Sequence, residues 1–154
     1  MELSHKLFIW MQKCHQKRIP ILPQMIRIII RVLFSFEIHP TANIADGAEF
    51  VRNGLGCVFH EHVTIEDGVK IYQNVTLGGN GKPTQGPNCP TIKKGATIYA
   101  GACVLGPVTI GENAVVAANA VVRFNVPDQC LAAGVPAIIK KRMDDLSNKS
   151  EQEV

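Results

Sequence analysis

The sequence is poor in aromatic residues and shows no pattern of metal-binding or disulfide-rich proteins. It contains 1 Trp, 2 Tyr and 6 Phe in 154 residues, so aliphatic side chains must fill the core. The five cysteines form no Cys-x-x-Cys or His-spaced pattern, which argues against a zinc site or a disulfide framework. No signal-peptide pattern precedes them. We therefore expect reduced cysteines, a cytoplasmic location and no bound metal.

The charge distribution also excludes some classes of function. Residues 1–36 carry six Lys or Arg and one Glu, a net charge of +5, whereas the remainder carries ten basic and twelve acidic residues, a net charge of −2. No basic stripe interleaved with exposed aromatics follows, as nucleic-acid binding would require. The most apolar run, residues 24–36, is about thirteen residues long and contains two arginines, so it is too short to span a bilayer.

A large apolar residue recurs every six positions over most of the chain. The thirteen positions, broken by two gaps, are Ile38, Ile44, Phe50, Phe59, Ile65, Ile71, Leu77, Ile92, Ile98, Val104, Ile110, Val116 and Val122. A period of six fits neither a helix nor an alternating strand. It is the hexapeptide signature of a parallel β-helix, in which three repeats complete one triangular coil. The sequence therefore predicts an all-β fold with a narrow aliphatic core.

The two gaps in the repeat predict insertions, and the helical pattern before it predicts a cap. Residues 51–56 add three positions to one coil, and residues 78–91 are rich in Gly and Pro, which predicts a projecting loop with a functional role. Helical patterns cover residues 2–16 and 24–36. They either cap the open end of the β-helix or a neighbouring subunit, or they lie on a membrane surface as a basic amphipathic pair.

We accordingly divide the chain into three parts. Residues 1–36 form the helical pair, residues 37–142 form the β-helix, and residues 143–154 form a polar tail that we expect to be disordered. Within the second part, residues 133–137 predict a turn, and a short basic tail follows from Ile138.

Four segments resemble the hexapeptide-repeat acyltransferases, and specifically the short serine acetyltransferases. They are residues 36–40 (FEIHP), 72–82 (YQNVTLGGNGK), 99–106 (YAGACVLG) and 133–137 (AGVPA). The resemblance covers about residues 18–142. It implies a left-handed β-helix, a homotrimer, acetyl-CoA held in a groove between subunits, and acetyl transfer to a hydroxyl.

Such a transfer needs a base to take the hydroxyl proton, and histidine is the usual base near neutral pH. His39 and His60 each follow an inward-facing position, so they should point outward and stack one coil apart, with Gly78 continuing the column. His60 is our candidate base because it faces outward beside the loop. Glu37 occupies the place of the family's catalytic Asp and is the second candidate catalytic residue.

The sequence departs from the family pattern at the acceptor side of the site. Arg52 stands where the family has its catalytic His, and arginine stays protonated and cannot act as a base. We expect Glu37 and Arg52 to form a salt bridge on one edge, and we assign Arg52 and Asn88 as candidate acceptor-binding residues. Val51 and Asn88-Cys89 replace the acidic residue and the Arg-His of the family.

The cofactor side matches the family better. Gly79, Ala100 and Ala118 match positions whose backbones face CoA in the family, and Lys140 and Lys141 could meet its phosphates. A simpler explanation is that small residues fit the corners of the coil. Without the resemblance, this explanation and cofactor binding would be equally supported.

Three functions remain open at this stage. The first is an acetyl-CoA-dependent O-acetyltransferase acting on L-serine or on another hydroxylated acceptor such as a polysaccharide sugar. The second is a silenced trimeric homologue that binds CoA or acts as a regulatory partner, which Arg52 favours. The third is a transferase that contacts the membrane surface through residues 1–36.

Overall fold

The computed structural model describes residues 2–82 and 85–142, with only the backbone of residues 141 and 142 described. The predicted polar tail, 143–154, lies outside these residues. Two helices come first, α1 over Leu3–Gln16 and α2 over Leu22–Phe34. Both helices are amphipathic, as the sequence predicts, and α2 begins two residues earlier than its apolar pattern suggests.

Parallel strands of two or three residues then wind into a left-handed β-helix, as predicted. In chain order, the described strands are β1 Asn43–Ile44, β2 Glu49–Phe50, β3 Val58–Phe59, β4 Thr64–Ile65, β5 Lys70–Ile71, β6 Thr76–Gly78, β7 Thr91–Ile92, β8 Thr97–Ile98, β9 Cys103–Leu105, β10 Thr109–Ile110, β11 Val115–Val116, β12 Val121–Val122, β13 Cys130–Gly134 and β14 Ala137–Arg142. They form three sheets, with the orders β1-β4-β7-β10, β14-β13-β11-β8-β5-β2 and β12-β9-β6-β3.

The six-residue repeat supplies the core of this prism. All thirteen repeat positions are buried, and the least buried of them, Ile44, is 7% exposed. Successive coils align their repeat residues in register, as Phe59, Leu77 and Val104 do in the third sheet. Each coil therefore places three apolar side chains on the axis, and the coils stack these side chains into continuous columns.

The helices cover the N-terminal end of the prism. Phe8 and Met11 of α1 and Ile26 and Ile30 of α2 belong to the same buried cluster as the first coil. The ring of His5 lies 4.9 Å from that of Phe50. This arrangement is the predicted cap. No helix among the described residues has the length and hydropathy to span a membrane.

An antiparallel hairpin completes the other end of the described chain. β13 pairs with β14 from Gly134 opposite Ala137 to Cys130 opposite Arg142, with a one-residue shift of register between Leu131 and Ala132. The predicted turn lies between these strands, but the basic tail expected from Ile138 is wrong. Residues 137–142 instead satisfy their backbone hydrogen bonds on the last parallel strand of the second sheet.

Candidate active site

Glu37 lies where the first coil enters the third sheet. His39 and His60 lie where the first two coils leave that sheet. A parallel bridge pairs Glu37 with Val58, and the amide of Phe59 donates to the carbonyl of Glu37. This register places His39 beside His60, and the next strand continues the column at Gly78. The long loop leaves the coil at Gly78. The structure therefore brings together the two histidines and the loop that the sequence singled out.

The carboxylate of Glu37 is held by two arginines of α2. Arg27 donates to Oε1 through Nη2 and, at 2.9 Å, through Nε, and Arg31 Nη1 lies 3.2 Å from Oε2. The predicted salt bridge between Glu37 and Arg52 is therefore wrong. Arg27 and Arg31 stand one turn apart and face the carboxylate together. Their spacing was visible in the sequence, but their partner was not.

Arg52 lies instead in the inserted segment. A 3-10 turn covers Val51–Gly54, and Arg52 adopts the left-handed conformation with φ 56° and ψ 40°. Its side chain is exposed and forms no ion pair with any described residue. The next residue, Asn53, accepts a hydrogen bond from the amide of Ser4 at 3.1 Å. The insertion thus ties the coil to α1 and leaves the cation of Arg52 in solvent.

His39 makes a chain of short hydrogen bonds into the next coil. Its Nδ1 lies 2.7 Å from Oγ1 of Thr41, and this hydroxyl lies 2.7 Å from the main-chain oxygen of Glu61. Partial burial, and next the positive charge of Arg27, lower the pKa of His39 from its ordinary value. His39 is therefore neutral at neutral pH and fixed in orientation. No residue pattern indicated a role for Thr41.

His60 has a different environment although it lies directly beside His39 in the column. Its Nδ1 accepts a hydrogen bond from the amide of His62 at 3.2 Å. Its ring centroid is 5.8 Å from that of His62, whose side chain is half exposed and faces Glu61. His60 is half-buried beside the base of the loop.

The loop is closed by the side chain of Asn88. Oδ1 of Asn88 accepts from the amide of Asn80 at 3.2 Å, and Nδ2 donates to the carbonyl of Lys82 at 2.8 Å. A Cβ at Gly79 would lie 2.8 Å from the main-chain oxygen of Asn88, which explains the glycine. The structure thus shows loop-closing roles for Asn88 and Gly79. Their predicted contacts with acceptor and cofactor stay predictions.

Ala100 and Ala118 stack at the corner where the second sheet passes into the third. The amide of Asn119 donates to the carbonyl of Ala100 at 2.9 Å and joins their two coils. Ala118 is exposed and Ala100 is half-buried, so little side chain covers the backbone here. Beside them the rings of Tyr72 and Tyr99 stack at 4.9 Å. The sequence did not indicate this pair, because the long loop separates the two tyrosines.

Two shallow depressions lie along α2 beside Glu37. One of about 250 Å³ is lined by Gln24, Arg27, Ile28 and Arg31, and another of about 380 Å³ is lined by Arg31, Ser35, Glu37 and Val58. They share Arg31 and are of a size for a small polar molecule. Lys140, the predicted phosphate contact, is exposed on β14 at the opposite end of the coil.

No group of three His, Cys, Asp or Glu side chains within residues 2–82 and 85–142 is placed to hold a metal ion. The five cysteines are free, and four of them are buried.

Comparison with known proteins agrees with this architecture. The family model described as bacterial transferase hexapeptide (six repeats) matches residues 89–123. The serine acetyltransferase of Synechococcus elongatus is 39% identical over 134 residues, which are 87% of this chain and 53% of that protein. The chain thus spans about half the length of the curated relatives it matches.

Solved structures give the same result. A serine acetyltransferase in complex with cysteine superimposes with a TM-score of 0.82 at 36% identity, over 90% of this chain and 56% of the other. The Brucella abortus serine acetyltransferase in complex with coenzyme A gives 0.83 at 31% identity, over 89% and 54%. Repeat pattern, coil geometry and relatives agree, and the chain belongs to the hexapeptide-repeat acyltransferase family, in its serine acetyltransferase branch.

Proposed function

We propose that this protein is an acetyl-CoA-dependent O-acetyltransferase. It would transfer an acetyl group to the hydroxyl of L-serine or of a related hydroxylated acceptor such as a polysaccharide sugar. The observation that carries the proposal is the likeness of nearly the whole described coil to serine acetyltransferases, one of them in complex with coenzyme A.

The coil offers a suitable surface for the cofactor. The stacked corner of Ala100 and Ala118 leaves its backbone approachable, as an extended pantetheine arm requires. Lys140, exposed on β14, supplies a positive charge for a phosphate group. Gly79 lets the two arms of the loop approach each other next to Gly78, which continues the histidine column.

The acceptor side must work differently from an Asp/His dyad. Arg27 and Arg31 form ion pairs with the carboxylate of Glu37 and compensate its charge, and Arg52 cannot accept a proton. The base must then come from the histidine column beside Glu37. In this arrangement the arginines and the depressions next to them serve the acceptor, since an arginine can grip a carboxylate or a phosphate.

We propose that the active form is a homotrimer located in the cytoplasm. One face of α2 is apolar and exposed, with Met25 52%, Ile28 60% and Val32 74% accessible, which fits burial against another copy. The free cysteines fit a reducing compartment.

If the apolar face of α2 were instead a membrane contact, the protein would co-sediment with vesicles containing anionic lipid. Light scattering in solution separates the two, because Val32→Glu should convert a trimer to smaller species.

A second candidate is a silenced homologue that keeps the coil and CoA binding as a regulatory partner. Two arginines hold the carboxylate of Glu37, which favours this candidate. The resemblance to the family, which implies that Glu37 and Arg52 stand at the positions of its catalytic Asp and His, favours it as well. This candidate predicts CoA binding with no turnover for any acceptor.

The test of the proposed function is thiol release from acetyl-CoA by the purified full chain. L-serine is supplied first, then a panel of hydroxylated sugars, and calorimetry measures CoA binding in parallel. Thiol release that depends on an acceptor supports the enzyme. CoA binding with no release for any acceptor supports the silenced homologue, and absence of both contradicts each proposal.

A further inference from the structure

We propose that His39 is the general base of this site and that His60, its neighbour in the next coil, acts as a hydrogen-bond donor, because the two imidazoles are held as opposite tautomers. The assignment rests on the proposed acetyl transfer. It replaces the sequence prediction that His60 is the base.

The hydrogen bonds of Thr41 fix the tautomer of His39. The main-chain oxygen of Glu61 can only accept a hydrogen bond, so the hydroxyl of Thr41 donates its single hydrogen to this oxygen at 2.7 Å. The contact of 2.7 Å between Thr41 Oγ1 and His39 Nδ1 then needs its hydrogen from the ring. Nδ1 is therefore protonated, and in the neutral ring Nε2 carries the lone pair. No described residue forms a hydrogen bond with this Nε2.

The surroundings of His39 agree with a base. The amide of Thr41 also approaches Nδ1, but at 3.4 Å, and the much shorter contact to the hydroxyl decides the tautomer. The charged and titratable groups around the ring are Arg27 of α2, His15 of α1, and Glu61 and His62 of the next coil. Burial and Arg27 keep the ring neutral near pH 7, the state in which Nε2 can take a proton.

His60 has the opposite arrangement. Its Nδ1 accepts from the amide of His62 at 3.2 Å, so the proton of the neutral ring lies on Nε2. Among the described residues no hydroxyl competes for Nδ1 of His60, in contrast to His39, so the amide alone decides this tautomer. His60 thus presents an N–H to the groove one coil from the lone pair of His39. A neutral imidazole N–H can stabilise the oxyanion of an acyl transfer.

The two rings then divide the reaction between them. Nε2 of His39 takes the proton of the acceptor hydroxyl as its oxygen attacks the thioester carbonyl, and Nε2–H of His60 donates to the oxyanion that forms. When the carbon–sulfur bond breaks, the proton on His39 passes to the CoA thiolate. The products are the O-acetyl ester and free CoA, and His39 returns to its neutral form.

Glutamine substitutions separate these roles, because glutamine has an N–H donor but cannot take a proton. His39→Gln should lower kcat by roughly 10²-fold or more with little change in the KM for acetyl-CoA. The fall of kcat at acidic pH, which reports protonation of the base, should be absent from the pH profile of this variant. His60→Ala should lower kcat by roughly 10²-fold, whereas His60→Gln should recover most of that loss. Thr41→Val, which removes the acceptor for Nδ1–H, should lower kcat by roughly 10-fold. His62→Ala keeps the backbone amide that donates to Nδ1 of His60, so this variant should retain the Nε2–H tautomer of His60.

The tautomers of His39 and His60 can also be determined without an activity measurement. Long-range proton–nitrogen correlation spectra of the nitrogen-labelled protein, assigned by the missing signals of the two glutamine variants, should show Nδ1–H for His39 and Nε2–H for His60. The reverse tautomer at either ring would overturn the proposal. So would turnover by His39→Gln equal to that of the unaltered protein, and this result would leave the proposed function intact. Absence of turnover by the unaltered protein would overturn the proposed function and the base assignment together.

Discussion

A glycine at the corner that Ala100 and Ala118 form gives the sharpest prediction about what holds the coil together. Gly101 has φ +72°, and a Cβ placed on it would lie 2.1 Å from Oδ1 of Asn119, which stands in the coil above. Gly101→Ala therefore combines two penalties. The left-handed conformation costs an L-residue roughly 1–2 kcal/mol. Displacing the Asn119 side chain adds about 1–3 kcal/mol, as overpacking usually does.

The loop contains a control for the first penalty alone. Gly81 has the same φ of +72°, but nothing lies within 4 Å of a Cβ placed there. Gly81→Ala should therefore lower the free energy of unfolding by roughly 1–2 kcal/mol and no more. The difference between the two variants isolates the contact with Asn119. Adding Asn119→Gly to Gly101→Ala should recover that difference, because the obstructing side chain is then gone.

Urea unfolding at one fixed protein concentration measures these free energies, because an oligomer's midpoint depends on concentration. Midpoints are compared only where the variants keep the same m value. Equal losses of unfolding free energy for Gly101→Ala and Gly81→Ala would contradict this prediction. That result would mean that the asparagine of the upper coil does not constrain the corner.

Two further predictions concern pH and the altered dyad. Burial lowers the pKa of His5 in the folded protein, against a weaker opposing effect of Asp46. As pH falls, the unfolded chain therefore binds the proton at a higher pH than the folded protein does. The free energy of unfolding should fall as pH drops below about 6.5, by about 1.4 kcal/mol for each unit between the folded and unfolded pKa values of His5. Urea unfolding of His5→Asn should show a smaller fall, and an equal fall would exclude His5 as the cause. Arg52→His should raise serine acetylation by less than roughly 10-fold, because Glu37 stays paired with Arg27 and Arg31; a larger gain would show that the carboxylate is free to orient the new imidazole.

The fold was predictable because the repeat is local and strict. Each inward position is set by a single apolar residue at a fixed spacing, and even the nine-residue step from Phe50 to Phe59 kept the later residues in phase. The stacking of His39 beside His60 followed from counting alone. The gap in the count located the long loop, whose cluster of glycines and prolines is typical of turns.

The side-chain partners of the site were not predictable in the same way. Counting along the coil placed Arg52 near Glu37, but the carboxylate takes its partners from α2, whose position over the coil no repeat specifies. The tautomers of His39 and His60 depend on a hydroxyl and an amide two residues further along each corner. Such contacts depend on distances of a few tenths of an ångström, which a residue pattern does not contain.

The most direct test of the account is acceptor-dependent thiol release from acetyl-CoA, measured for the unaltered protein and for His39→Gln. We expect release with L-serine or with a hydroxylated sugar, and a loss of roughly 10²-fold or more in the variant. No release with any acceptor would contradict the central claim that this coil is an acetyltransferase.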